Sequence, residues 1–154
     1  LEGGDPKAGR QIFLTHAAGQ CSKCHKLDGD GGIAGPDLTG IGGKHDRAYF
    51  LQALIAPSDV VAPGYGVTLV TLKSGESLGG FLMEENNQEI VLKLPDPAAP
   101  DRTITRSLAL SDIASRQPPI SAMPPMGHLL TQSEIRDLVA FLTSLRKGDS
   151  KKSH

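Results

Sequence analysis

The chain has 154 residues, with 16 Lys and Arg against 17 Asp and Glu for a formal net charge of -1; 38% are hydrophobic, 4% aromatic, and there is no Trp. That length admits one ordinary domain or a small domain carrying a sizeable insertion, and leaves little room for two full domains. The balanced charge excludes the single-sign field that nucleic acid or an anionic membrane would need, and no run approaches the roughly 18 consecutive apolar residues of a membrane helix.

A helix is expected from Asp5, whose carboxylate suits an N-cap and is followed by Pro6 at the first helical position. Ala8, Gly9, Ile12 and Phe13 form its apolar stripe. Cys21-Ser22-Lys23-Cys24-His25 follows, then a glycine-dense loop from Gly29 to Gly43. Asp46 to Ala56 reads as a second helix, burying Tyr49, Phe50, Ala53 and Leu54 and closed by Pro57. From about Val67 the period becomes alternating, through Val67, Leu69, Leu78, Leu82, Ile90, Leu92, Leu94 and Ile104. Ser74-Gly75 and Glu85-Asn86-Asn87 break it as turns. Pro95 to Pro100 reads as a surface loop and Asp112 to Gln117 as a short strand. Thr131 and Glu134 form a capping box ahead of Ile135, Leu138, Val139, Leu142 and Leu145 at helical spacing.

Two cysteines three apart, with a His next, cannot be a disulfide framework and match the spacing by which haem c is attached. Each thiol forms a thioether with one porphyrin vinyl group, and the next residue points at the iron, where an imidazole nitrogen binds well. The same atoms admit two other readings. A structural zinc site needs a fourth ligand beyond Cys21, Cys24 and His25, and there is no second Cys pair. A thioredoxin-like dithiol expects a βαβ context, whereas this motif follows a capped helix and precedes a glycine-rich loop. A large buried cofactor also suits a chain with so few aromatic side chains.

The order of helix, CxxCH, Gly35-Pro36-Asp37-Leu38-Thr39-Gly40-Ile41-Gly42, helix, Met-Pro and C-terminal helix resembles a class I c-type cytochrome. The resemblance is closer still to the haem-binding cytochrome domains fused to large secreted dehydrogenase-like propeller proteins. It is carried by Ile55-Ala56-Pro57-Ser58 and Ala62-Pro63-Gly64-Tyr65, and covers about Gly9 to Leu145. It implies a mainly α fold: the class I cytochrome c helices, with a small antiparallel β unit, Sm- or SH3-like, inserted between the second helix and the distal-Met loop. The expected division is a haem domain over 1–65 and 118–147, an inserted β module over 66–117 and a disordered tail over 148–154. The resemblance further implies one covalent haem c per chain, a contact from the Pro36 carbonyl to His25, and a helix crossing through Gly9, Phe13 and Phe141. Such haem is attached outside the cytoplasm, so a periplasmic or otherwise extracytoplasmic protein is expected, with a leader removed or the chain excised from a longer secreted protein.

The cofactor-binding residues are therefore Cys21, Cys24, His25 and Met123, with His25 and Met123 on the metal. Met123 is chosen because Pro124 restricts its backbone to extended conformations and because the resemblance favours a Met followed by Pro. Met126 and His128 are its rivals, while Met83 reads as β-unit core. His45 reads as a surface residue, and His16 as a helix-end cation favoured by the dipole.

Three functions follow from these residues. An iron with both axial positions filled by protein changes oxidation state and does little else, so single-electron transfer is expected, with electrons from a dehydrogenase partner or fused domain, and no enzyme activity of the chain itself. A haem enzyme or gas sensor would need a labile distal ligand. The β unit alone is a candidate to bind nucleic acid or peptide, but between Gly66 and Gln117 it has five basic and seven acidic residues and one aromatic, Phe81. It lacks both a positive groove and a stacking platform, so docking or structural support is the better reading.

Overall fold

The structure, a computed structural model, describes residues 2–147. The expected tail at 148–154, with His154, lies outside them. The described residues are about 33% helical and 31% strand, so the expectation of a mainly α chain is overturned. The helices are short, while the middle of the chain is nearly continuous strand. Two compact units result, one formed by the chain up to Val60 together with the chain from Met123 on, the other by Val61–Ala122.

The first unit holds helices α1 (Pro6–Thr15), α2 (Cys21–Cys24), α3 (Arg47–Ile55) and α4 (Gln132–Ser144), and a two-residue ladder of β1 (Lys26–Leu27) with β2 (Asp30–Gly31). Local chemistry starts each longer helix. Asp5 accepts from the Lys7 N–H at 2.8 Å and Asp46 from the Tyr49 N–H at 2.9 Å. Thr131 and Glu134 form the reciprocal capping box, which satisfies donors that a helix start leaves without intrahelical partners. α1 crosses α4 at Gly9, where a Cβ would lie 2.1 Å from the Asp137 carbonyl oxygen and 2.7 Å from Phe141 Cβ. Phe13 and Phe141, 2% and 4% exposed, meet there with ring centroids 5.8 Å apart. Burying each ring contributes about 1.5–3 kcal/mol. Phe50, Leu54, Leu130, Ile135, Leu138 and Val139 extend the same core.

The second unit is one antiparallel sheet of β3 (Gly66–Leu72), β4 (Ser77–Glu85), β5 (Glu89–Asp96), β6 (Ala99–Ala109), β7 (Ile113–Arg116) and β8 (Ile120–Ser121). Its order is β6-β5-β4-β3-β7, with β8 pairing β3. Its separate core is Val70, Leu72, Ile90, Leu92, Leu94 and Leu108. The β3 segment is apolar on both faces, and the face turned inward carries Thr68, Val70 and Leu72; Val67 and Leu69 are exposed. Met83, expected in this core, is half-buried outside it, beside Gly64.

Pro95 to Pro100 is not the expected loop. Strands β5 and β6 run through it and leave only Pro97 and Ala98 between them, with Asp96 Oδ1 accepting from the Ala98 N–H at 2.9 Å. Prolines are tolerated in strands where no partner needs their missing N–H. The β4–β5 ladder ends at Phe81↔Lys93, so Pro95 is paired on one side only, to Thr103.

Candidate functional site

The segment joining α1 to α2 turns through Gln20, which adopts a left-handed backbone at φ 47°. α2 then presents Cys21 and Cys24 within one helical turn, so their side chains share a face. His25 closes α2 by donating its N–H to the Cys21 carbonyl at 2.9 Å. Cys21 is buried and Cys24 exposed. Burial pushes the Cys21 thiol up from its ordinary value. That disfavours the thiolate on which redox-dithiol chemistry depends. Among the described residues no three His, Cys, Asp or Glu side chains converge to hold a metal ion.

Nδ1 of His25 lies 2.8 Å from the Pro36 carbonyl oxygen. A carbonyl only accepts, so Nδ1 carries the ring hydrogen and Nε2 keeps a lone pair available for a metal. Pro36 is held by its neighbours. Asp37 accepts from the Thr39 N–H at 2.8 Å, and the Thr39 hydroxyl oxygen accepts from the Asp28 N–H at 2.8 Å. The Thr39 hydroxyl and backbone hold the Asp37 carboxyl below its ordinary range.

The glycine loop closes tightly around the motif. The Gly35 N–H donates to the Cys24 carbonyl at 2.7 Å, and the Gly32 N–H to the Ser22 carbonyl at 3.0 Å. A Cβ on Gly35 would sit 2.6 Å from His25 Cε1, and one on Gly32 would sit 1.8 Å from the Lys23 carbonyl oxygen. The short β1–β2 hairpin, not anticipated from sequence, turns through Asp28 and Gly29 at φ 51° and 94°. An Asp-Gly pair between two extended residues is its local signal.

The remaining candidates are spread over this unit. Met126 is 3% exposed and opens a 3₁₀ turn over Met126–His128, while Met123 is partly buried at the edge of the apolar cluster that holds both Met126 and Cys21. His128 is exposed. His45 stacks on Tyr49 with ring centroids 3.7 Å apart, and His16 pairs with Glu134.

These residues fit a covalently held haem: two thiols one turn apart, an imidazole with Nε2 free, glycines where side chains would collide, and a thioether beside the same apolar cluster. The arrangement is the donor set that a c-type haem needs. Residues 6–65 match the family model described as Cytochrome c. A cytochrome c domain implies a covalently attached haem c with iron, and supports a haem-based electron-transfer function. The matched stretch runs from α1 through the thiol pair and α3 to Tyr65; both methionine candidates, the sheet and α4 lie beyond it.

Proposed function

We propose that the chain is a monohaem electron carrier in which Cys21 and Cys24 anchor the porphyrin, His25 is the proximal ligand and Met123 the distal one. The observation that carries this reading is the 2.8 Å contact from His25 Nδ1 to the Pro36 carbonyl, which orients the ring and leaves Nε2 for iron. Between the methionines, burial favours Met123. Met126 is enclosed by packed side chains at 3% exposure, whereas a sulfur that ligates iron needs one open side toward the ring. A neutral, soft thioether favours ferrous iron and raises the reduction potential above that of a bis-His site.

With both axial positions held by protein, the chain itself is no enzyme. It takes single electrons from a dehydrogenase-like partner or fused domain, in an extracytoplasmic compartment where haem c is attached. Extraction with acid-acetone tests the central claim. The colour is expected to stay with the protein, and Cys21→Ala or Cys24→Ala should prevent normal maturation; haem released into the solvent by the wild-type chain refutes the covalent site.

The haem domain is read from sequence as 1–65 with 118–147 and the module as 66–117, a few residues narrower at each end than the compact sheet unit Val61–Ala122, which includes β8. Two separate buried clusters support this division, each drawn wholly from one side of it. Replacing 66–117 by a short Gly-rich link is expected to leave a low-spin haem spectrum. A high-spin spectrum, or loss of haem, would make the module part of the haem's surroundings.

A further inference from the structure

We infer that His16 is a positioning residue: its ring ties the turn that leads into Cys21 to the cap of α4, and through it restrains the methionine loop that guards the iron. The inference rests on the haem reading proposed above.

His16 ends α1, donating its backbone N–H to the Ile12 carbonyl at 3.0 Å and accepting the Gln20 N–H at 3.1 Å on its own carbonyl. Its ring closes the same turn, because Nδ1 accepts the Gly19 N–H at 3.0 Å. A nitrogen that accepts carries no hydrogen, so the ring N–H sits on Nε2. That atom lies 3.3 Å from Glu134 Oε1. The other carboxylate oxygen, Oε2, takes the Thr131 N–H at 2.8 Å and the Thr131 hydroxyl at 2.9 Å. The two oxygens therefore serve two segments.

One end of this connection is two residues before Cys21. Gly19 lies beside Cys21 Sγ and the buried Leu130 side chain, which a Cβ on Gly19 would approach at 3.7 Å and 3.6 Å. The other end continues into the methionine loop. The Leu130 N–H donates to the Met126 carbonyl at 2.9 Å, and Thr131 is the next residue. The backbone and hydroxyl of Thr131 hold Glu134 below its ordinary value, so the acceptor for His16 stays ionised and aimed by its own helix cap. His16 is thus a hydrogen-bonding link between the turn before Cys21 and the cap of α4. A half-exposed pair of this kind adds little to global stability; its effect falls on how two segments are held.

The test uses the ferric holoprotein and the rate at which imidazole displaces the distal ligand. His16→Ala is expected to raise that rate by a factor of about five, the scale of one half-exposed charged contact. His16→Gln, which keeps an amide donor within reach of Glu134, should recover part of the loss. Leu54→Ala, a core change outside the tie, controls for general loosening: it should lower Tm more than His16→Ala does and accelerate imidazole less. Wild-type rates in His16→Ala, or equal acceleration at matched Tm in the control, would overturn the inference. So would nitrogen-15 NMR of the wild type placing the His16 hydrogen on Nδ1, a result independent of whether haem is bound. A haem that extracts from the protein would instead overturn the reading on which the inference rests.

Discussion

Met123→Ala is expected to convert a low-spin ferric haem into a high-spin one, abolish the iron–sulfur charge-transfer band, and open the ferrous iron to carbon monoxide. On the proposed His25 and Met123 ligation the iron loses its only soft thioether donor, and alanine offers no replacement. The reduction potential should fall with it, since the thioether is what favours the ferrous state. Met126→Ala makes the contrasting case. Its side chain is 3% exposed within the core that includes Phe13, Phe50 and Leu138, and removing a buried Met side chain costs about 2–5 kcal/mol through lost burial and a cavity. That variant should unfold at lower temperature while keeping the charge-transfer band. The reverse pattern would move the ligand to Met126. A band unaffected by either change, but altered in His128→Ala, would make the site bis-His and of lower potential. Visible spectra of three variants, oxidised and reduced, decide among these outcomes, and carbon monoxide binding by the unaltered chain would favour a gas-binding role instead.

The second large effect is expected at Gly9. Ala is the better helix former by about 1 kcal/mol, so helix propensity alone would make Gly9→Ala stabilising. The crossing reverses that sign. The added Cβ would lie 2.1 Å from the Asp137 carbonyl oxygen and 2.7 Å from Phe141 Cβ, neither of them the free end of a flexible side chain. α1 and α4 must then separate, and overpacking in a core generally costs about 1–3 kcal/mol. Partial exposure of the Phe13 and Phe141 rings adds to it, each worth about 1.5–3 kcal/mol when buried. A net loss of about 3 kcal/mol is expected, a large share of the roughly 5–15 kcal/mol that hold an ordinary domain together. Gly43→Ala is the control, because a Cβ there meets nothing within 4 Å. Equal Tm values for the two variants would mean that the helices can part without loss.

The helix starts were legible because each is a contact between residues three or fewer apart: Asp5 to Lys7, Asp46 to Tyr49, Thr131 to Glu134. The motif of Cys21, Cys24 and His25 stands out for the same reason, since the haem attachment proposed for it depends on spacing within five residues. The mainly α expectation failed because it followed the helical resemblance at both flanks and gave too little weight to the strands between them. Those strands reach 9, 8 and 11 residues, the last two running through prolines that read as a loop.

What the sequence determined by itself is therefore what short-range geometry decides: where helices begin, where thiols and imidazole stand together, and where alternation replaces helical periodicity. Tertiary structure alone decided which face of the doubly apolar β3 turned inward, why Pro95 could lie in a strand, and which of Met123 and Met126 is enclosed. It alone brought His16 to Glu134, 118 positions apart along the chain. Pairings between distant segments depend on the surface each partner happens to offer, and no pattern confined to one segment records that surface.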